Sequence, residues 1–203
     1  MTHRSSFAIG ILAAALALPV AVSAQHGKRR IDVPELPAIL EVPAGNQVYL
    51  EGRAEGTQNY ICLATPTGVA WKFLGPQATL FLPRIAQQIT THFLRVNPAE
   101  GVARPTWQHS LDSSAVWGRV LQTSNDANYV APASIPWLLV EAAGTAEGPL
   151  GGSQLSKTTY IQRVNTLGGV APAVGCTSVA NVGTVVLVPY ATDYFFYRAK
   201  GNK

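Results

Sequence analysis

Histidine, cysteine and charge are all scarce in this chain. Of 203 residues, 4 are histidine and 2 are cysteine, while 13% are charged against 47% hydrophobic. Metal centres draw on clusters of His, Cys and carboxylates, and such a supply leaves little to build one from. Low charge combined with high hydrophobicity excludes a disordered chain. No serine stands in a Gly-x-Ser-x-Gly frame, which removes the nucleophile elbow of the α/β-hydrolases. No apolar run reaches the roughly 20 residues of a membrane-spanning helix. The net charge is a mild +4, and its basic clusters, Lys28-Arg29-Arg30 and Arg198, Lys200 and Lys203, sit near the two ends. Nucleic-acid binders carry a basic stripe along a groove or helix. These clusters are read as solvated tails, and no nucleic-acid partner is expected.

What is present begins with an export signature. Arg4 precedes an unbroken apolar run over residues 7–18, followed by Pro19 and the small residues Val22-Ser23-Ala24. A positive start, a short apolar middle and small residues at a cut site make a cleavable signal peptide. Cleavage after Ala24 leaves a periplasmic or secreted protein with no transmembrane segment. The expected organisation is a signal peptide over 1–24, an extended N-terminal segment over 25–45, a single β domain over 46–198 and a tail over 199–203. The segment before the domain holds Pro34 and Pro37, which suit an extended path across a surface or along a sheet edge.

Gly (18) and Pro (14) punctuate the remainder at short intervals. Between them lie runs of Val, Ile, Thr and aromatics, among them 69–74, 78–82, 90–96, 115–123, 136–142, 158–164 and 182–188. No segment after the signal keeps apolar residues at i, i+3, i+4, i+7 long enough for a substantial helix, and 84–88 is the one short helical candidate. The fold class expected is all-β, a single-domain β-sandwich or jelly-roll-like barrel with little helix. Strict alternation over 158–164 would bury Ile161 and expose Gln162.

Two cysteines in an oxidising compartment ordinarily pair, so Cys62 and Cys176 are assigned to a disulfide. The alternative, Cys62 as a nucleophile, lacks a histidine beside it in sequence. Of the histidines after the signal, His26 lies next to the predicted new terminus, whereas His92 and His109 fall in predicted strands, with Asp112 three residues beyond His109. If those strands pair, His92, His109 and Asp112 form a candidate polar cluster able to exchange protons or hold a metal. The chain also holds 4 Trp and 7 Tyr. Most of these rings are expected in the core, with Trp107 as the ring expected to be partly exposed for stacking on a ligand.

Several stretches resemble an exported family known as domain of unknown function 3455, found in bacteria and fungi. They include Trp71-Lys72-Phe73 with Gly75-Pro76-Gln77-Ala78, then His92-Phe93, Pro105-Thr106-Trp107 and Leu111-Asp112-Ser113-Ser114. Further along are Ile135-Pro136-Trp137-Leu138-Leu139 and Tyr160-Ile161-Gln162-Arg163-Val164-Asn165-Thr166-Leu167-Gly168-Gly169. Pro172, Cys176, Val188-Pro189-Tyr190-Ala191 and Tyr194-Phe195-Phe196-Tyr197 complete the likeness. Asp-Ser-Ser stands here where the family pattern has Asp-Gly-Ser. Some fungal members carry a malate dehydrogenase label, but a nicotinamide site needs a Gly-rich turn between a strand and a helix. Residues 148–152 are Gly-rich and lead into an expected strand at 153–160, so the dehydrogenase reading is rejected and no cofactor is expected.

Two functional classes follow. The first is a non-catalytic binding or structural protein of the envelope, with a glycan or an apolar small ligand as partner. The second is a small secreted hydrolase or lyase, metal-assisted in one form, that uses His92, His109 and Asp112. The export reading has its own test: intact-mass measurement of periplasmic or culture-fluid protein is expected to give a chain that begins at Gln25, and a retained signal overturns it.

Overall fold

Neighbouring runs of β-forming residues separated by short turns pair most readily with each other, and here they do so all the way round. The computed structural model describes Met1 and residues 30–201; residues 2–24 of the predicted signal, His26, Lys28, Arg29 and Lys203 lie outside the described residues. The strands are β1 (Asn46–Thr65), β2 (Gly68–Phe81), β3 (Gln88–Val96), β4 (Ala103–His109), β5 (Ala115–Ser124), β6 (Trp137–Ala146), β7 (Thr158–Gly168) and β8 (Val185–Ala199). Each is antiparallel to the next, and β8 returns to β1 to close an eight-stranded barrel.

The all-β expectation holds, and the architecture corrects its finer form. A jelly roll joins strands through Greek-key crossings and a sandwich leaves two open sheets. This barrel is a meander sealed by pairing from Asn46↔Ala199 to Ile61↔Val185. Strand β1 can serve both neighbours because it is 20 residues long. At its Gly56 a Cβ would lie 2.1 Å from the Gln77 carbonyl oxygen, so a side chain is excluded there.

Two local expectations also change. Residues 84–88 form no helical turn, since Arg84 (φ 80°) and Ala86 (φ 49°) adopt left-handed conformations that a right-handed helix does not hold. The expected strand at 153–160 starts only at Thr158, the preceding residues being turn.

The barrel has two ends of different character. Turns at 82–87, 110–114 and 147–157 gather at one end; those at 66–67, 97–102, 125–136 and 169–184 gather at the other, called the mouth below. The interior core runs through Leu80, Ile89, Val116, Val140, Ile161 and Phe196, and Leu155 from the 147–157 loop joins it as a plug. A second core lies outside the barrel wall. There Leu40, Trp137, Leu139, Val164, Phe195 and Tyr197 pack with Ile31, Val33 and Leu36 of the N-terminal segment.

That outer layer corrects the expected alternation in β7. Gln162 faces outward, yet it is 1% exposed because residues 31–42 cover it. Its amide donates to the Leu40 carbonyl at 2.7 Å and its oxygen accepts the Tyr197 hydroxyl at 2.6 Å, so its burial leaves both polar ends satisfied.

Cys62 and Cys176 form a disulfide with Cα atoms 5.5 Å apart. It fastens β1 to the 169–184 loop, and Gly183 N–H on the Cys62 carbonyl (2.9 Å) continues the attachment. Closing a loop across a sequence separation of 114 is worth on the order of 4 to 5 kcal/mol in the chain-entropy account. Replacing either cysteine by Ser is therefore expected to lower the thermal midpoint and make it insensitive to reductant. An unsubstituted protein whose midpoint does not move in a reductant series would contradict this assignment.

Candidate functional site

An eight-stranded barrel has an interior just wide enough for side chains to fill or for one small molecule to occupy, so its inward residues decide what it can do. Toward the plug these residues are mainly apolar, with Thr90 buried among them. Toward the mouth they change: Gln58, His92, Trp107, Arg163 and Tyr194 line a cavity of about 300 Å³ whose walls include Phe73, Pro105, Val120 and Leu138. A wider groove of about 790 Å³ opens where β2 and β3 cease to pair beyond Ala78↔His92, and His92 and Pro76 line both spaces.

His92 is held from three sides. Its register partner is Trp107, and the two rings stack with centroids 4.2 Å apart and 12° between planes. Tyr194 meets His92 edge-on at 5.3 Å. Nδ1 lies 3.0 Å from the Thr106 carbonyl, which can only accept, so the proton resides on Nδ1 and Nε2 keeps a bare lone pair. Burial pushes the His92 pKa down to about 3; the Thr106 carbonyl opposes that shift and the Arg163 charge adds to it.

Arg163 shares the inward parity of Ile161 and pairs in register with Tyr194. Its Nε and Nη2 donate to the Pro136 carbonyl at 3.2 and 2.8 Å. Among the described residues no carboxylate lies within ion-pair distance of it. Around it, burial raises the Tyr194 pKa against the pull of the Arg163 charge, and the same opposition acts at Tyr60. Among the described residues the Gln58 amide nitrogen, the Trp107 indole N–H and the Tyr194 hydroxyl are buried without a hydrogen bond of good geometry, although Tyr194 bears on Tyr190 and Arg163, and Gln58 on Tyr190. Thr90, Trp117, Trp137, Tyr190 and Arg198 hold such atoms as well, none of them lining this cavity.

Trp107 corrects the expectation of a partly exposed ring. It is 1% exposed, stacked under His92 and edge-on to Tyr194 and Phe196. Its inward position follows from pairing opposite His92 and Val116, both of which face the core. Trp117 and Trp137 are buried as well, as expected of core rings.

Of the candidate cluster, the structure brings His109 and Asp112 together and leaves His92 apart. His109 pairs in register with Thr90, and no hydrogen bond or ion pair joins His92 to either partner. His109 Nδ1 lies 3.1 Å from Asp112 Oδ1 and 3.3 Å from the Asp112 N–H. A protonated Nδ1 donates to the carboxylate, and an unprotonated one accepts the amide. Among the described residues no group of three His, Cys, Asp or Glu is placed to hold a metal.

Asp112 is engaged in holding the plug. Its oxygens accept from Ser114 N–H (2.9 Å), Ser114 Oγ (2.7 Å) and Gln154 N–H (2.9 Å), while Ser114 Oγ accepts from Leu155 N–H at 2.9 Å. Burial would raise its pKa, but the Gln154 and Ser114 donors outweigh that and hold the carboxyl below its usual range. The turn keeps its left-handed residue, Ser113 at φ 61°, where the family pattern has glycine. The Gly-rich stretch has its reason here too, since a Cβ on Gly148 would fall 1.7 Å from the Asp112 carbonyl oxygen. No phosphate-binding role is required to explain it.

Gln58, Arg163 and Tyr194 escaped sequence reasoning. The signal for Arg163 was available: two residues after Ile161 in an alternating strand, it must face the same way, and a charge on an inward position is costly enough to mark a special site.

A family model described as protein of unknown function (DUF3455) matches residues 43–198, and the chain belongs to that family. No curated protein and no solved structure matches the chain.

Unfolded His92 titrates near 6.5, against about 3 in the folded state. Between these values the unfolded chain binds the extra proton, so stability is intact above about pH 6.5 and falls as pH drops toward 3. His92→Gln is expected to flatten this limb, whose slope approaches about 1.4 kcal/mol per pH unit. Urea midpoints between about pH 4.5 and 7 avoid the Asp112 titration; equal slopes in both proteins would count against a neutral buried His92.

Proposed function

We propose that this member of the family is an exported, non-catalytic binding protein that takes one small, largely apolar molecule into the mouth of its barrel. The observation that carries the reading is the cavity of about 300 Å³, apolar in its walls and polar at a few fixed points on its floor. Small-molecule sites are of this kind, roughly 300 to 1,000 Å³ with a few orienting polar groups, and barrel mouths are among their usual places. A flat sugar-stacking platform fits less well, because three of the four tryptophans are buried and Trp71 spends its indole N–H on the Val174 carbonyl at 3.2 Å.

The outer surface supports a water-facing barrel. Arg53 with Glu55 and Arg119 with Glu141 form ion pairs on outward positions, where a lipid-facing band would be apolar. Among the described residues no helix is long and apolar enough to cross a membrane. Export rests on the N-terminal signature and the disulfide is in keeping with it.

A neutral aromatic such as 2-naphthol is expected to bind saturably and perturb Trp107 emission. Val120→Trp, at a half-exposed position of the cavity wall, is expected to weaken binding about tenfold or more while changing stability by no more than about 0.5 kcal/mol. Binding that survives this substitution would place the molecule elsewhere and remove the reading.

A further inference from the structure

Arg163 is a partly buried cation inside a barrel, and nothing on the described chain neutralises it. A guanidinium carries five N–H donors in a rigid fork. The Pro136 carbonyl engages the Nε and Nη2 side of that fork at 3.2 and 2.8 Å, which fixes the plane of the group. The opposite edge, formed by Nη1 and the second Nη2 hydrogen, has the spacing that receives both oxygens of a carboxylate. Arg163 lines the same cavity as Gln58, whose amide nitrogen makes no hydrogen bond of good geometry among the described residues, and as Tyr194, whose hydroxyl the guanidinium bears on. The cavity therefore pairs a cation and neighbouring donors with apolar walls of Phe73, Val120 and Leu138.

Resting on the binding reading above, we propose that the molecule the barrel takes is an organic acid: an apolar body seated against those walls, with its carboxylate on the free edge of Arg163. A neutral apolar molecule would leave the charge of Arg163 uncompensated. A simple inorganic anion would leave the apolar walls unused. A carboxylic acid with a ring or short chain satisfies both halves of the site, and His92 Nε2, which carries a lone pair, accepts from a hydroxyl on that body where one is present.

The test compares 2-naphthoate with 2-naphthol near neutral pH, where the acid is ionised and the alcohol is not, by calorimetry on the full exported protein. The expected result is about tenfold tighter binding of naphthoate to the wild type, a preference lost in Arg163→Gln and partly kept in Arg163→Lys, which holds the charge without the fork. In the unsubstituted protein the Arg163 Nε–H resonance is expected to shift on addition of naphthoate and not of naphthol. This readout stands even if the variants fold poorly. Equal affinities for the two probes, a preference that survives Arg163→Gln, or an unmoved Arg163 resonance would each overturn the acid assignment while leaving the pocket in place. Failure of both probes to bind would overturn the pocket itself and this inference with it.

Discussion

Closure between β1 and β8 is the constraint on which the rest of this molecule depends. It joins the two strands furthest apart in the chain and, once formed, gives every strand a paired neighbour on each side, although β2 and β3 part beyond Ala78↔His92. It also fixes parity. With Ala54 inward on β1 and Tyr194 and Phe196 inward on β8, every inward residue of the other strands is set by register. Arg163 therefore faces the interior as a consequence of pairing with Tyr194, and His92 does so because it pairs with Trp107. The disulfide acts at the same seam, since Cys62 stands on β1 just past the last β8 pair.

The barrel spends its interior unevenly. At one end Leu155 fills the lumen, and the loop that carries it is held by Asp112 and Ser114 through backbone amides. Those hydrogen bonds satisfy a carboxylate that would otherwise be costly to bury. At the mouth the balance reverses. Polar atoms on Gln58, Trp107 and Tyr194 are shielded without a hydrogen bond of good geometry among the described residues.

How far the sequence disclosed this follows from the same physics. Turn spacing and β-branched runs announce strands wherever they occur, so the all-β class was readable. The choice between sandwich and closed meander was not, because residue alternation says which face is buried and nothing about which strand lies alongside. Alternation itself fails in β7, where Ile161 is buried in the lumen and Gln162 under residues 31–42. The cysteine pair was readable from the compartment that the N-terminal signature led one to expect. His109 and Asp112 were read as chemistry on their proximity in sequence, and that proximity turned out to be a tight turn. Arg163 was passed over, although parity with Ile161 pointed it inward.

The same residues bear on the choice between binding and catalysis. A general base works best with a pKa near the working pH, and His92 at about 3 is far too weak a base for that role. Its Nδ1 proton is committed to the Thr106 carbonyl and its ring is clamped between Trp107 and Tyr194, so it has neither a carboxylate to orient it nor freedom to turn. The carboxylate that an acid–base pair would need, Asp112, is bound to the plug loop by Ser114 and Gln154. Under the proposed reading, groups fixed in this way would position a molecule without exchanging protons with it. A neutral acceptor, a fixed cation and apolar walls are the means of recognition, and that combination favours a barrel that holds its ligand unchanged.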